Sequence, residues 1–207
     1  MSFLTIKEES HSEYIEKRSK FLCSAFPCET EAEALAILEK IKTKYWDARH
    51  NCHAFIVDDG RTSRFSDDGE PHGTAGKPIL EVISAKKLVN VLVVVTRYFG
   101  GVLLGTGGLV RAYSTATKDA LDSATVVEMV PCTLFRINCS YSDHPSLSRL
   151  IENSNANLKN TDFAENVTVD IVLKDEDIAS FKHSLTENFS GKLKMEETGK
   201  TVSPFEV

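Results

Sequence analysis

The sequence predicts an α+β protein of two domains, on three observations. A nearly continuous β-branched run, "VNVLVVVTRYF" (Val89 to Phe99), marks a strand buried on both faces, and it leads through a Gly-rich turn into a helix. The hydrophobic pattern stops at Val126–Pro131 and then restarts. After the restart the elements run β-α-β-β-α-β, the split βαβ arrangement. The expected domains are residues 1–127 and 128–207.

In order, "FLTIKEES" and "EYIEKRSKFLCSAFPC" read as strands and as antiparallel neighbours. Lys17, Arg18 and Lys20 on the second either extend a basic face or protect an edge. "TEAEALAILEKIKTKYW" reads as an amphipathic helix. Thr30 and Glu33 form a capping box, and Ala34, Leu35, Leu38, Ile41 and Tyr45 recur at helical spacing. "CHAFIVDD" returns as a strand. Residues 59–78, rich in glycine, proline and acids, read as a long loop, a feature that is usually functional or mobile. Lys77 to Leu88 reads as a helix with Pro78 in its first turn and Thr74 as its cap. The buried strand, the glycine turn and a helix from about Gly107 to Ala124 complete the first domain. In the second, "CTLFRINCSY" is a strand. "DHPSLSRLIENSN" is a helix capped by Asp143. "ANLKNTDFAE" and "NVTVDIVLKD" pair as strands. "DEDIASFKHSLTENFSG" is a helix ending at Gly191, and "KLKMEETGK" closes the domain.

The 207 residues allow one large domain or two small ones. No apolar run reaches membrane-spanning length, so no membrane role is expected. The start, "MSFLTIKEESHSEY", lacks the basic and apolar regions of a signal peptide. Five cysteines without a CxxC pair read as reduced thiols in the cytoplasm. The net charge of −6 argues against loose binding to any polyanion. Yet residues 71–118 hold six basic groups (Lys77, Lys86, Lys87, Arg97, Arg111, Lys118) against the single acid Glu81.

Within that basic segment lie five glycines, Gly100, Gly101, Gly105, Gly107 and Gly108. A strand feeding a Gly-rich turn at a helix N-terminus points orphan N–H groups outward, which suits an anion. Thr106 either caps the helix or contacts an oxyanion, and Arg97 and Arg111 supply charge. The spacing fits neither GxxxxGK[ST] nor a clean GxGxxG. The competing reading is that the glycines let strand and helix pack closely. In "FSDDGEPHGTAGKP", Asp67, Asp68 and Glu70 cluster beside His72. Paired carboxylates suit a hard cation or acid–base work, but the EF-hand spacing is absent and turn chemistry accounts for these residues. No metal and no cofactor are expected. In "RHNCHAF", strand alternation puts His50 and Cys52 on one face and His53 on the other. A metal shared by all three is therefore not expected, a Cys52–His50 nucleophile pair would need an orienting third group that is not evident, and these residues read as structural.

Together, "RHNCHAF", "SDDGEPHGTAGKPIL" and "VVVTRYFGGVLLGTGGLVRAYSTAT" resemble the signature of the Impact / YigZ family, and the tail resembles the second domain of its bacterial branch. The resemblance implies a first domain like domain 2 of ribosomal protein S5. It implies a second domain similar to a ferredoxin-like domain of elongation factor G. It implies a role in translation or stress regulation and brings no catalytic residues. The matching positions are Asp67, Asp68, Gly69, Glu70, Thr74, Gly76, Arg97, Tyr98, Gly100, Gly101, Gly105, Gly107, Gly108, Arg111 and Tyr113.

Three functions follow as expectations. The first is a module binding RNA, the ribosome or translation factors through Lys77, Arg97 and Arg111, with Tyr98 or Phe99 stacking on bases. The second is a protein adaptor docking through an exposed apolar patch within Tyr98–Leu104. The third is an enzyme on a small phosphorylated substrate, with a cation at the acidic loop, which requires that loop to lie near the glycine turn.

Overall fold

The computed structural model describes residues 2–206. The chain divides into two compact units, Phe3–Glu128 and Met129–Phe205. In the first unit, β2 (Ser10–Glu16), β3 (Ser19–Pro27), β6 (Val91–Tyr98), β4 (His50–Val57) and β5 (Thr62–Ser66) form one antiparallel sheet in the order β2-β3-β6-β4-β5. The central strand β6 is buried on both faces because each face has its own helical cover. Val91, Val93 and Val95 share a core with Ile79 and Ile83 of α2 (Gly76–Ala85) and with Leu109, Tyr113 and Ala116 of α3 (Gly105–Ser123). Leu92 and Val94 point the other way, onto Ala34, Leu38 and Ile41 of α1 (Glu31–Lys44). Each fully buried aliphatic side chain contributes about 1.5–3 kcal/mol. The strand is therefore anchored from both sides, and its last residues are held in place.

Several expectations change. "EYIEKRSKFLCSAFPC" is a hairpin rather than one strand: Lys17 and Arg18 turn it with φ of 44° and 67°. Lys20 then lies on the interior strand β3, paired with Glu13 at 3.2 Å, rather than on an edge. β1 (Phe3–Ile6) does not pair with that hairpin, and β7 (Val126–Cys139) carries the chain out of the first unit into the second. Residues 59–78 are not all loop: Thr62–Ser66 forms the edge strand β5, whose mostly exposed, polar residues hide its signal. Leu35, read as part of the buried stripe of α1, is 46% exposed, because that stripe runs through Ala34, Leu38 and Ile41. Thr30 does cap α1 by accepting from the Glu33 N–H, while the Glu33 carboxylate accepts from Glu29 rather than from Thr30.

In the second unit the order is β7, α4 (His144–Glu152), β8 (Asn157–Phe163), β9 (Val167–Lys174), α5 (Ile178–Phe189) and β10 (Met195–Glu206). β9 pairs antiparallel with both β7 and β8, and β10 also pairs with β7. Ile137, Val169 and Ile171 pack with Leu147 of α4 and with Phe181 and Leu185 of α5. Asp143 precedes α4 but its carboxylate caps nothing. It accepts instead from Lys192 Nζ and Ser140 Oγ, both at 2.6 Å. Ser190 and Gly191 close α5 with left-handed φ of 50° and 72°. The last strand begins only at Met195 and runs past "KLKMEETGK" to Glu206.

Candidate functional site

Strand alternation and register assemble the site. On β6, Arg97 continues the Val91, Val93, Val95 face toward α2 and α3, and it lies directly across from His50 on β4. Its guanidinium does not point to solvent. The side chain is 7% exposed, and Nη1 donates to Glu70 Oε1 at 2.5 Å, itself 4% exposed. Phe21 and Phe99 each lie over it, with ring centroids 5.5 and 5.6 Å from Cζ. Tyr113 of α3 donates to the same Glu70 oxygen at 2.9 Å, and the single Cys52 S–H has two acceptors within reach, the Asp67 carbonyl at 3.0 Å and the Tyr113 hydroxyl oxygen at 3.3 Å. Burial pushes the Cys52 thiol and the Tyr113 hydroxyl well up, so both stay protonated and donate. The expectation that Arg97 is free for an external phosphate is therefore corrected: its charge is committed to Glu70 across the fold.

The acidic loop is spent on structure. Asp67 accepts from the N–H groups of Gly73, Ala75 and Gly76 at 2.8, 3.0 and 2.9 Å, capping α2. Burial alone raises its pKa, but the three N–H bonds outweigh that and hold it below the usual carboxylate range. The cap expected from Thr74 is thus supplied by Asp67, and the Thr74 hydroxyl donates to the Pro71 carbonyl instead. Asp68 accepts from Asn51 N–H at 2.6 Å, and its carbonyl binds His50 Nδ1 at 2.8 Å. A carbonyl only accepts, so that nitrogen carries the proton. With all three carboxylates engaged, no group of three or more metal-ligating side chains occurs among the described residues.

The glycines divide by cause. A Cβ on Gly100 falls 2.0 Å from the Arg18 carbonyl carbon, and one on Gly76 falls 2.6 Å from the Ser66 oxygen. At these two positions close packing is the reason. Gly101 and Gly105 have φ of +83° and +71°, which other residues adopt only with strain. Gly107 meets neither demand: its φ is ordinary and a Cβ there meets open space. Thr106 does not cap α3, whose N-cap is Leu104 with no side-chain bond, and Thr106 is exposed.

The predicted cations are separated. Arg97 lines a cavity of about 380 Å³ together with Arg49, His50, Glu70, Phe99, Leu103 and the first residues of α3. Arg111, one turn beyond the start of α3 and exposed, lines another of about 360 Å³ with Tyr14, Glu16, Lys17 and Gly108. Leu104 lines both. Lys77 is outside both cavities and pairs along α2 with Glu81 at 3.9 Å. Tyr98 is half-buried and tied by its hydroxyl to Asp47 at 2.8 Å; burial and that bond push its pKa up to about 12. Of the two aromatic residues expected to stack on bases, only Phe99 is exposed, at 47%. The exposed patch expected within Tyr98–Leu104 is present, with Val102 at 42% and Leu103 at 83%. The acidic loop does reach the glycine turn, since Glu70 and Gly105 line one cavity.

Sequence reasoning passed over Arg49 and Ser19. Arg49 lines the cavity beside Phe99. Ser19 Oγ accepts from Gly100 N–H at 3.2 Å and so ties the hairpin to the turn. Only the register of β4 and β3 on β6 reveals either role. Among the described residues, Lys17, Arg18, Arg49 and Arg111 enter no ion pair. All four are exposed.

Residues 17–121, which contain Arg97, Glu70, the glycine turn and Arg111, match the Impact N-terminal domain. The chain belongs to the Impact family. Residues 137–192 match a second family model, a domain of unknown function (DUF1949). The IMPACT family member YvyE of Bacillus subtilis is 34% identical over 197 residues, covering 95% of this chain and 91% of that protein. The family member YigZ of Escherichia coli is 34% identical over 182 residues, covering 86% and 89%. A crystal structure described as that of a hypothetical protein matches with a TM-score of 0.62 and 32% identity, over 94% of this chain and 96% of that one. No described helix is long and apolar enough to cross a membrane.

Proposed function

We propose that this Impact family member is a cytoplasmic binding module of translation or stress control that holds RNA on the face around Phe99 and Leu103. One observation carries the reading: the exposed Phe99 and Leu103 share a cavity with Arg49, and a second cavity joined to it through Leu104 holds Lys17 and Arg111, all three of them exposed cations with no ion-pair partner among the described residues. An aromatic platform among unneutralised cations is what sequence-tolerant single-strand binding needs. In this reading the buried Arg97–Glu70 pair does not touch RNA but holds the platform ring in place through the stacked guanidinium. The domains like ribosomal protein S5 domain 2 and like a domain of elongation factor G that the family resemblance implies agree with the same reading, by analogy of fold alone. No catalytic step is assigned.

Fluorescence anisotropy of labelled single-stranded and structured RNA at low and moderate salt tests this. Binding should weaken as salt rises, and Arg111→Ala and Lys17→Ala should each lower the salt slope by about 1. Phe99→Ala should cost about 1–3 kcal/mol of binding. If the folded protein binds no RNA at low salt, the reading fails. A protein partner on the apolar patch is then favoured by Leu103, whose 83% exposure is unusual for a leucine.

A further inference from the structure

Resting on that reading, we infer that Trp46 is a second base-stacking residue for single-stranded RNA, placed at the same end of the sheet as Phe99. Trp46 is the single tryptophan of the chain. It stands in the turn after α1 and is 82% exposed. Tryptophan is highly buried on average, and a ring left in water forfeits a large apolar surface. The register fixes where this ring stands. His50, the first residue of β4, lies across from Arg97 near the end of β6, so the turn that precedes β4 lies beside the residues that end β6. Asp47 Oδ1 accepts from the Tyr98 hydroxyl at 2.8 Å and ties that turn to the strand end. Alternation places Tyr98 with Leu92 and Val94 on the side of α1, whereas Phe99 lies over Arg97, on the side of α2 and α3. Trp46 and Phe99 thus flank one end of the sheet, and Arg49 follows Trp46 into the cavity beside Phe99.

The charge around Trp46 selects the partner. Residues 40–49 hold Lys40, Lys42, Lys44 and Arg49 against the single acid Asp47. Lys42 pairs with Glu39 at 3.7 Å, and Asp47 is bonded to Tyr98. Lys40, Lys44 and Arg49 are exposed and enter no ion pair among the described residues. Lysines in the last turn of α1 also complement the helix dipole. That role explains neither the bare ring nor Arg49 beyond the helix. An open aromatic ring among unneutralised cations suits a polyanion whose bases offer π-faces, and it disfavours a basic protein segment. A strand laid over this end of the sheet stacks one base on Phe99 and another on Trp46, with Arg49 available to its phosphates.

Because the chain has one tryptophan, its emission reports Trp46 alone. Single-stranded oligouridine RNA is titrated into the full chain at low salt, and tryptophan emission and oligomer anisotropy are read in parallel titrations. Emission should be quenched along the same binding curve and should recover when added salt releases the oligomer. Trp46→Ala should weaken binding on the order of tenfold. Trp46→Phe should keep most of the affinity, whereas Trp46→Leu, apolar but without a π-face, should not. The denaturant midpoint should stay unchanged in all three, since the ring is exposed. Phe99→Ala should weaken binding yet keep the quenching at saturation, because the two rings take different bases. Emission unchanged at saturation, or a Trp46→Ala affinity equal to wild type, overturns the inference and leaves the RNA face at Phe99 standing. Quenching together with a Phe99→Ala affinity equal to wild type overturns the platform at Phe99 and keeps Trp46. No binding in either titration overturns both.

Discussion

Arg97 and Arg111 flank the same glycine turn, yet one belongs to the interior of the molecule and the other to its surface. Arg97 is sealed between two aromatic rings and bonded to Glu70, in a chain that continues through Tyr113 to Cys52. Arg111 is exposed and enters no ion pair. The first neutralises a carboxylate that would otherwise be buried alone. The second leaves its charge available. Identical chemistry is thus spent inside the fold at one site and left open to solvent at the other, and the difference lies in what the fold brings opposite each side chain.

Substitution separates the two roles, and the largest effect falls on the interior. Arg97→Ala leaves Glu70 buried with its charge uncompensated and should cost about 3–5 kcal/mol, read as a shift in the denaturant midpoint. An Arg97→Ala protein of undiminished stability would break the comparison. Gly100→Ala drives a methyl into the Arg18 main chain and should cost about 1–3 kcal/mol in the same measurement. Gly107→Ala, two helical turns of sequence away from any such clash, should cost nothing in stability.

Asp67 sharpens the interior side through pH. Its folded pKa is depressed, so its contribution is present above the unfolded value and is lost as pH falls through the folded one, below about pH 4. Asp67→Asn should cost about 1–2 kcal/mol at neutral pH. Its stability should also fall less steeply than wild type in an acid titration followed by circular dichroism. A parallel fall in both proteins would remove Asp67 from the account. Smaller again than Asp67→Asn is Arg111→Ala, whose stability should stay within about 0.5 kcal/mol of wild type while the salt slope of RNA binding falls.

Some of these roles were legible in the sequence. The β-branched run from Val89 to Phe99 announced a strand covered on both faces, and alternation put His50 and Cys52 on one side. Thr30 announced the start of α1 because its acceptor and donor are three residues apart. Thr74, Thr106 and Asp143 have the same chemistry and cap nothing with their side chains. At α2 the cap comes from Asp67, six to nine residues before the groups it binds, a distance no local rule spans. The strand β5 was hidden because an edge strand with exposed polar residues has no hydrophobic alternation to show.

By itself the sequence determined the elements whose causes are local: the buried central strand, the capped helix α1, the turn that needs glycine at Gly101 and Gly105, and the restart of the pattern near Pro131. The tertiary structure decided which charges are spent and which are free. Arg97 meets Glu70 across 27 residues and Tyr113 meets it across 43, through strand register and helix packing. Burial makes those partners necessary, since a charge left alone inside the fold costs about 3–5 kcal/mol, a large share of a domain's stability. At the surface water imposes no such demand, and among the described residues Lys17, Arg18, Arg49 and Arg111 are left without ion pairs.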